Sequence, residues 1–128
     1  MNDTNFMPVT ISIDNKKHRI VVHKNMLHLL GDPPYIQLLI DPDSMMFAIK
    51  ALDRTTSGDQ THKINKKALK SDNSVEIYSM TFISKLNNVA GILYDEALYH
   101  MPGVVISPER IAVFSIKNLT KAQSEQLS

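Results

Sequence analysis

The sequence predicts one α+β domain built of antiparallel β-hairpins with two short helices. Three observations carry that expectation. Apolar runs with period-two alternation recur along the chain, two stretches with helical spacing each stop at a glycine, and two of the hairpin turns pair proline with an acid. The order strand, helix, hairpin also occurs twice, over about residues 9–52 and 74–119, which raises a degenerate tandem duplication as a further expectation.

Val9–Ile13 alternates apolar and polar residues as a half-buried strand does, and Asp14-Asn15-Lys16-Lys17 follows as a hairpin turn, with Asn15 suited to the left-handed conformation. Ile20, Val21 and Val22 form the returning strand. Met26, Leu27 and Leu30 share one helical face, with Asn25 as N-cap and Gly31 as the stop. A helix this short must dock on a sheet to persist. After Pro33 and Pro34, Tyr35–Ile40 and Met45–Leu52 flank a type I turn at Asp41-Pro42-Asp43-Ser44, and Leu39 is expected to be buried with its neighbours. Residues 53–73 read mostly as loop. Val75–Tyr78 reads as a strand, and Thr81–Ala90 as the best helix of the chain, capped by Ser79 and ended by Gly91. His100–Ile106 is extended with a bend at Pro102-Gly103. A second turn at Ser107–Arg110 leads to the strand Ile111–Ile116, and residues 120–128 form a polar tail. The predicted core is Val21, Leu27, Leu30, Ile36, Leu38, Phe47, Ile49, Phe82, Leu86, Val113 and Ile116.

The duplication rests on matched residues. Ile40-Asp41-Pro42-Asp43 parallels Ile106-Ser107-Pro108-Glu109, and Phe47–Leu52 parallels Phe114–Leu119 with one extra residue in the second turn. Met26, Leu27 and Leu30 parallel Phe82, Ile83 and Leu86.

Length and composition bound the function. A chain of 128 residues is one domain by size, and 43% apolar with 21% charged residues excludes a disordered chain. The absence of cysteine excludes disulfides and thiolate metal sites and fits the cytoplasm. No apolar run approaches the roughly 18 residues of a membrane span, and MNDTNFMPV lacks a leader pattern. A cytoplasmic protein without a membrane partner is therefore expected. A net charge of +1 gives no global field for nucleic acid, so a basic footprint must be local.

Two local clusters qualify. Lys16, Lys17, Arg19 and Lys24 surround the first hairpin and the start of the first helix, with Asp14 as the only acid between them. Lys63, Lys66, Lys67 and Lys70 form a secondary basic cluster. Catalytic signals are weak. The four glycines are spread singly, so no phosphate loop or nucleophile elbow is present. His18, His23 and His28 are spaced by five, which puts no two on one helical face. No catalytic residue, metal ligand, cofactor or small-molecule substrate is assigned.

The stretch Arg19–Ile40, with the first hairpin before it and the strands after it, resembles the swapped-hairpin DNA-binding domain of AbrB-type regulators and MazE-type antitoxins. The resemblance rests on a basic strand leading into Met26, Leu27, Leu30 and Gly31, and covers about residues 9–52. The chain departs from it at His23–Lys24, where the family has proline, and at Pro33-Pro34-Tyr35. The resemblance implies duplex DNA as partner, bound through Lys16, Lys17, Arg19 and Lys24, with a homodimer or a partner protein completing the unit. The expectation is a DNA-binding regulatory protein without catalytic activity. The alternative is a protein–protein interaction module, of antitoxin-like or mobile-element accessory type, without DNA binding.

Overall fold

One antiparallel sheet dominates the molecule and overturns the α+β expectation. The structure, a computed structural model, describes residues 6–55, 60–67, 73–92 and 95–122. Strands take up 49% of these, and they curl into a nearly closed barrel-like sheet with few helices. The chain runs β1 (Phe6–Asp14), β2 (Arg19–His23), α1 (Lys24–Leu29), β3 (Tyr35–Asp41), β4 (Met46–Leu52), β5 (Thr61–Lys63), β6 (Ser74–Tyr78), α2 (Met80–Ala90), β7 (Leu98–Ile106), β8 (Ile111–Ser115) and β9 (Thr120–Lys121). The strand order is β5-β3-β4-β8-β7-β1-β2-β6, with β9 on β7. Local hairpins account for β1·β2, β3·β4 and β7·β8. The joins that turn hairpins into one sheet are long-range: β1 on β7, β2 on β6, β4 on β8. Apolar runs on both faces of a strand give no local signal of such partners, and so the hairpins read as separate units.

The order strand, helix, hairpin does occur twice, and β2 pairs with β6 and β4 with β8. The residue matches that suggested a duplication do not hold in this register. Both hairpin turns contain four residues, 42–45 and 107–110, and each ends in a residue of positive φ, Met45 at 56° and Arg110 at 53°. Turn equivalence therefore sets Met46 against Ile111 and Phe47 against Ala112. Phe47 and Phe114 are not equivalents but direct neighbours across β4·β8.

The core fills the inside of the sheet and is closed by the helices. Phe47 stacks on Phe114 at 5.3 Å between ring centroids, and Phe82 of α2 meets Phe47 at 5.1 Å. Met26 and Leu27 of α1 are buried, as are Phe82, Ile83 and Leu86 of α2. Capping explains the limits of α2. Ser79 Oγ accepts the Phe82 N–H at 3.1 Å, and Gly91 takes the left-handed conformation at φ 74°. The α1 cap differs from expectation: His23, not Asn25, is the N-cap, and it makes no side-chain cap bond. The backbone of Lys24 instead donates to Asn73 O at 2.8 Å, tying the helix start to the strand-β6 side.

Two predicted core residues face outward. Val21 and Val113 are half-exposed, while their neighbours Ile20, Val22, Ala112 and Phe114 are buried. Each lies in a run that is apolar on both faces, Ile20-Val21-Val22 and Ile111-Ala112-Val113-Phe114. Leu39, Ala48, Val113, Val104 and Pro8 lie side by side across β3, β4, β8, β7 and β1 on the outside. Met46 flanks this row at one end of the strands, and Ile111, Ile106 and Phe6 at the other. Alternation cannot choose a face when both are apolar. Leu39, expected to be buried, is 38% exposed. The bend expected at Pro102-Gly103 is absent, since both residues continue β7. Pro102 falls between the segments of β7 that β8 and β9 occupy, so no ladder bond to either is lost.

Among the described residues no helix is long and apolar enough to cross a membrane.

Candidate nucleic-acid interface

The β1–β2 turn is anchored from beneath. Asn15 is fully buried and is not the left-handed residue of the turn; His18 holds that conformation at φ 53°. The Asn15 N–H donates to Ala97 O at 3.1 Å, its amide donates to Asn87 Oδ1 at 3.1 Å and Asp95 Oδ1 at 3.3 Å, and Asn87 returns a bond to Asn15 Oδ1 at 3.2 Å. A buried amide with its partners met this way holds the turn against α2 and the strand-β7 approach. Asp95 is the acid of this network. Burial pushes its carboxyl up, but bonds from the Ala97 N–H, the Tyr99 hydroxyl and Asn15, with Lys121 nearby, bring it below the ordinary 3.8. The Tyr99 hydroxyl is in turn pushed up to about 12 by burial and by that carboxylate.

A pH dependence follows. A carboxylate with a lowered folded pKa stabilises the fold above its unfolded value, and the contribution is lost as pH falls through the folded value. Stability is therefore expected to be flat at neutral pH and to fall below about pH 4. Asp95→Asn is expected to reduce that acid-side loss in urea titrations at pH 7 and pH 3. An unchanged pH slope in this variant would remove Asp95 as its source.

Lys16 and Lys17 stand exposed at the tip, and their N–H groups donate to Asp14 Oδ1 at 3.1 and 3.2 Å. Arg19 is not available to a ligand in the same way. Its Nε donates to Asp14 Oδ2 at 2.9 Å, and its Nη1 lies 2.8 Å from Glu76 Oε2. Burial works against the Arg19 charge, and the bonds with Tyr78, Asp14 and Glu76 more than restore it. Sequence reading missed this, since Glu76 reaches Arg19 only through the long-range pairing of β2 with β6.

Lys24 lies at the other end of β2 from the hairpin tip, five residues or roughly 17 Å away from Arg19 at strand rise. The first cluster is therefore split. The fold instead brings Lys24 to the second cluster. Lys24, Leu27, His28, Asp32, Pro33, Ile64 and Lys66 line one groove beside α1. It adjoins an open groove of about 640 Å³ lined by Pro34, Tyr35, Lys63, Ile64, Asn65, Lys66 and Lys67. Two backbone bonds set this geometry, Lys24 N–H to Asn73 O and Ile64 N–H to Pro34 O at 2.9 Å. Ile64 is buried and anchors the segment carrying Lys63 and Lys66. Asp32, the acid among the lining residues of the first groove, sits 2.6 Å from His28 Nδ1. Lys70 lies outside the described residues.

Arg110 completes the support of α1, another feature without a local signal. Its Nε donates to Leu30 O at 3.0 Å and its Nη1 to Asp53 at 2.9 Å. The helix C-terminus is thus held by a cation, as its unpaired carbonyls favour. Among the described residues no group of three or more His, Asp or Glu converges as a metal site. No family model, no curated protein and no solved structure matches the chain.

Proposed function

We propose that the protein is a non-catalytic, cytoplasmic DNA-binding regulatory protein, which takes phosphates on the lysine-bearing grooves beside α1. The observation that carries this reading is the meeting of Lys24 with Lys66 across one groove, with Lys63 and Lys67 along the next. Lysines at such a surface neutralise backbone phosphates and position a duplex. The apolar walls, Leu27, Pro33 and Ile64, lower the local dielectric and strengthen each contact. The resemblance of residues 9–52 to the AbrB-type domain supports the same class. Lys16 and Lys17 are outlying contacts in this reading. Arg19 acts as a positioning residue that holds the hairpin through Asp14 and Glu76, not as a reader of bases.

The experiment is a fluorescence titration of labelled duplex DNA at several salt concentrations. Lys24→Ala and Lys66→Ala are each expected to flatten the log–log salt slope by about 0.9. Arg19→Ala is expected to lower thermal stability and leave the preference between duplex sequences unchanged. A wild-type slope of zero sinks the reading.

A protein-interaction module is the second reading, favoured by the apolar row on the outside of the sheet. Absence of duplex binding together with self-association would leave it as the better one.

A further inference from the structure

The outer apolar band is out of place on a sheet face open to water, where antiparallel strands ordinarily carry polar residues. Its centre is Ala48 beside Val113, with Leu39 on one side and Val104 and Pro8 on the other. No charged residue lies in this central row. Elsewhere the same outer surface is mostly polar: Ser12, Glu76 and His100 stand in one cross-strand row with Val21 on β1, β6, β7 and β2. The apolar character is therefore confined to one side of the barrel. Strand spacing of about 4.8 Å and about 6.8 Å between same-face residues give the band a footprint of roughly 400 Å² once the flanking rows, which also carry Asp41, Ser115, Gln37 and Lys50, are counted. Exposed apolar patches of about 400 Å² are often functional, and as an interface this one stands at the weak end for a dimer.

We infer that this face is the contact of a homodimer, with a second copy of the chain turned over about an axis running across the strands. The charges at the two ends of the strands identify the occupant. At one end stand Asp41 and Asp43 of the β3–β4 turn, and Lys117 just past β8. At the other end stand Lys50 of β4, and Glu109 just before β8. The turned copy exchanges the ends. Asp41 and Asp43 of one copy then come to Lys50 of the other, and Glu109 comes to Lys117. Each of these five charges meets its opposite, and the uncharged row meets itself, while Arg110 and Asp53 at the same end are already paired with each other. A twofold contact requires this self-complementarity. The inference does not rest on the nucleic-acid reading.

The test is sedimentation equilibrium of the full chain over a hundredfold range of concentration, at low and high salt. Wild type is expected to pass from monomer to dimer across that range. Val113→Glu at the centre is expected to abolish the dimer with the circular dichroism spectrum unchanged. Should that variant fold poorly, the exposed rim pair decides. Glu109→Lys and Lys117→Glu are each expected to weaken association about tenfold, since each change acts twice in a twofold contact. The double variant is expected to regain it. Wild type that stays monomeric throughout, a dimer indifferent to Val113→Glu, or a double variant no tighter than its single parents would overturn the inference.

Discussion

Phe47→Ala is expected to lower the unfolding free energy by about 4 kcal/mol in a urea titration, the middle of the range for a buried aromatic. Phe47 is fully buried at the join of β4 and β8, and two other rings depend on it. Phe114 stacks on it from the neighbouring strand, and Phe82 meets it from α2. Truncation removes the transfer energy of the ring and leaves a cavity whose walls are strands paired on both sides. Those strands cannot collapse inward without breaking their ladders, so the cavity term stays close to its full size. The loss also uncouples α2 from the sheet. Val113→Ala, one residue from Phe114 but on the outer face, is expected to cost less than about 1 kcal/mol in the monomer. Equal losses at the two positions would mean that inner and outer faces have been assigned wrongly.

The contrast between these positions shows what local sequence can and cannot say here. Elements with their own punctuation were legible. Ser79 and Gly91 bound α2 as expected, and Leu27, Leu30, Phe82 and Leu86 are buried at their helical spacing. The turn at Asp41–Ser44 was legible from Pro42, and Asp41 indeed accepts the Asp43 N–H and the Ser44 hydroxyl. Face assignment failed where both faces are apolar, as at Ile111-Ala112-Val113, because alternation then carries no sign. The fold class failed for a related reason. Hairpins are local, but β1·β7 joins residues about ninety positions apart, and only tertiary packing selects that partner. Asn15 shows the same limit at one residue. As a turn amide it has an ordinary local use, whereas its burial depends on Asn87, Asp95 and Ala97, which are distant in the chain.

The candidate interface was half legible for the same physical reason. Charge is visible in sequence, but its pairing is not. Lys16 and Lys17 are exposed as a turn requires, while Arg19 is held by Asp14, five residues back, and by Glu76, which arrives with β6. Lys24 and Lys66 looked like members of separate clusters. Their shared groove depends on β5 adding to β3, which carries the segment after Lys63 past Pro33 and Pro34 to the side of α1. Among the described residues the two sheet edges are not laddered together, and the Ser79 hydroxyl, donating to Gln60 Oε1 at 3.1 Å, spans them at one end.

Gly103→Ala is expected to cost about 3 kcal/mol, at the upper end for overpacking by a single methyl. Gly103 lies within β7, paired with Val9 of β1 and with Phe114 of β8. The Phe114 ring lies directly over the glycine, in the space a side chain would need. A Cβ at this position would overlap Phe114 Cδ2 and the Val113 carbonyl oxygen, and would stand 2.8 Å from Phe114 Cε2. A ring can turn, but it is fully buried and stacked on Phe47, so turning it disturbs the aromatic cluster. The carbonyl cannot move without displacing strand β8. The backbone conformation of Gly103 is not the obstacle; the obstacle is the volume above it, which is the use of glycine in a strand that something approaches closely. Phe114→Leu in the same chain is expected to recover part of the loss, since it withdraws one of the two obstacles and leaves the carbonyl. Thermal and urea unfolding of the single and double variants measure this directly. A Gly103→Ala chain within about 0.5 kcal/mol of wild type would show that the Phe114 ring has free room on the inner face, and the close packing of β7 on β8 would have to be abandoned.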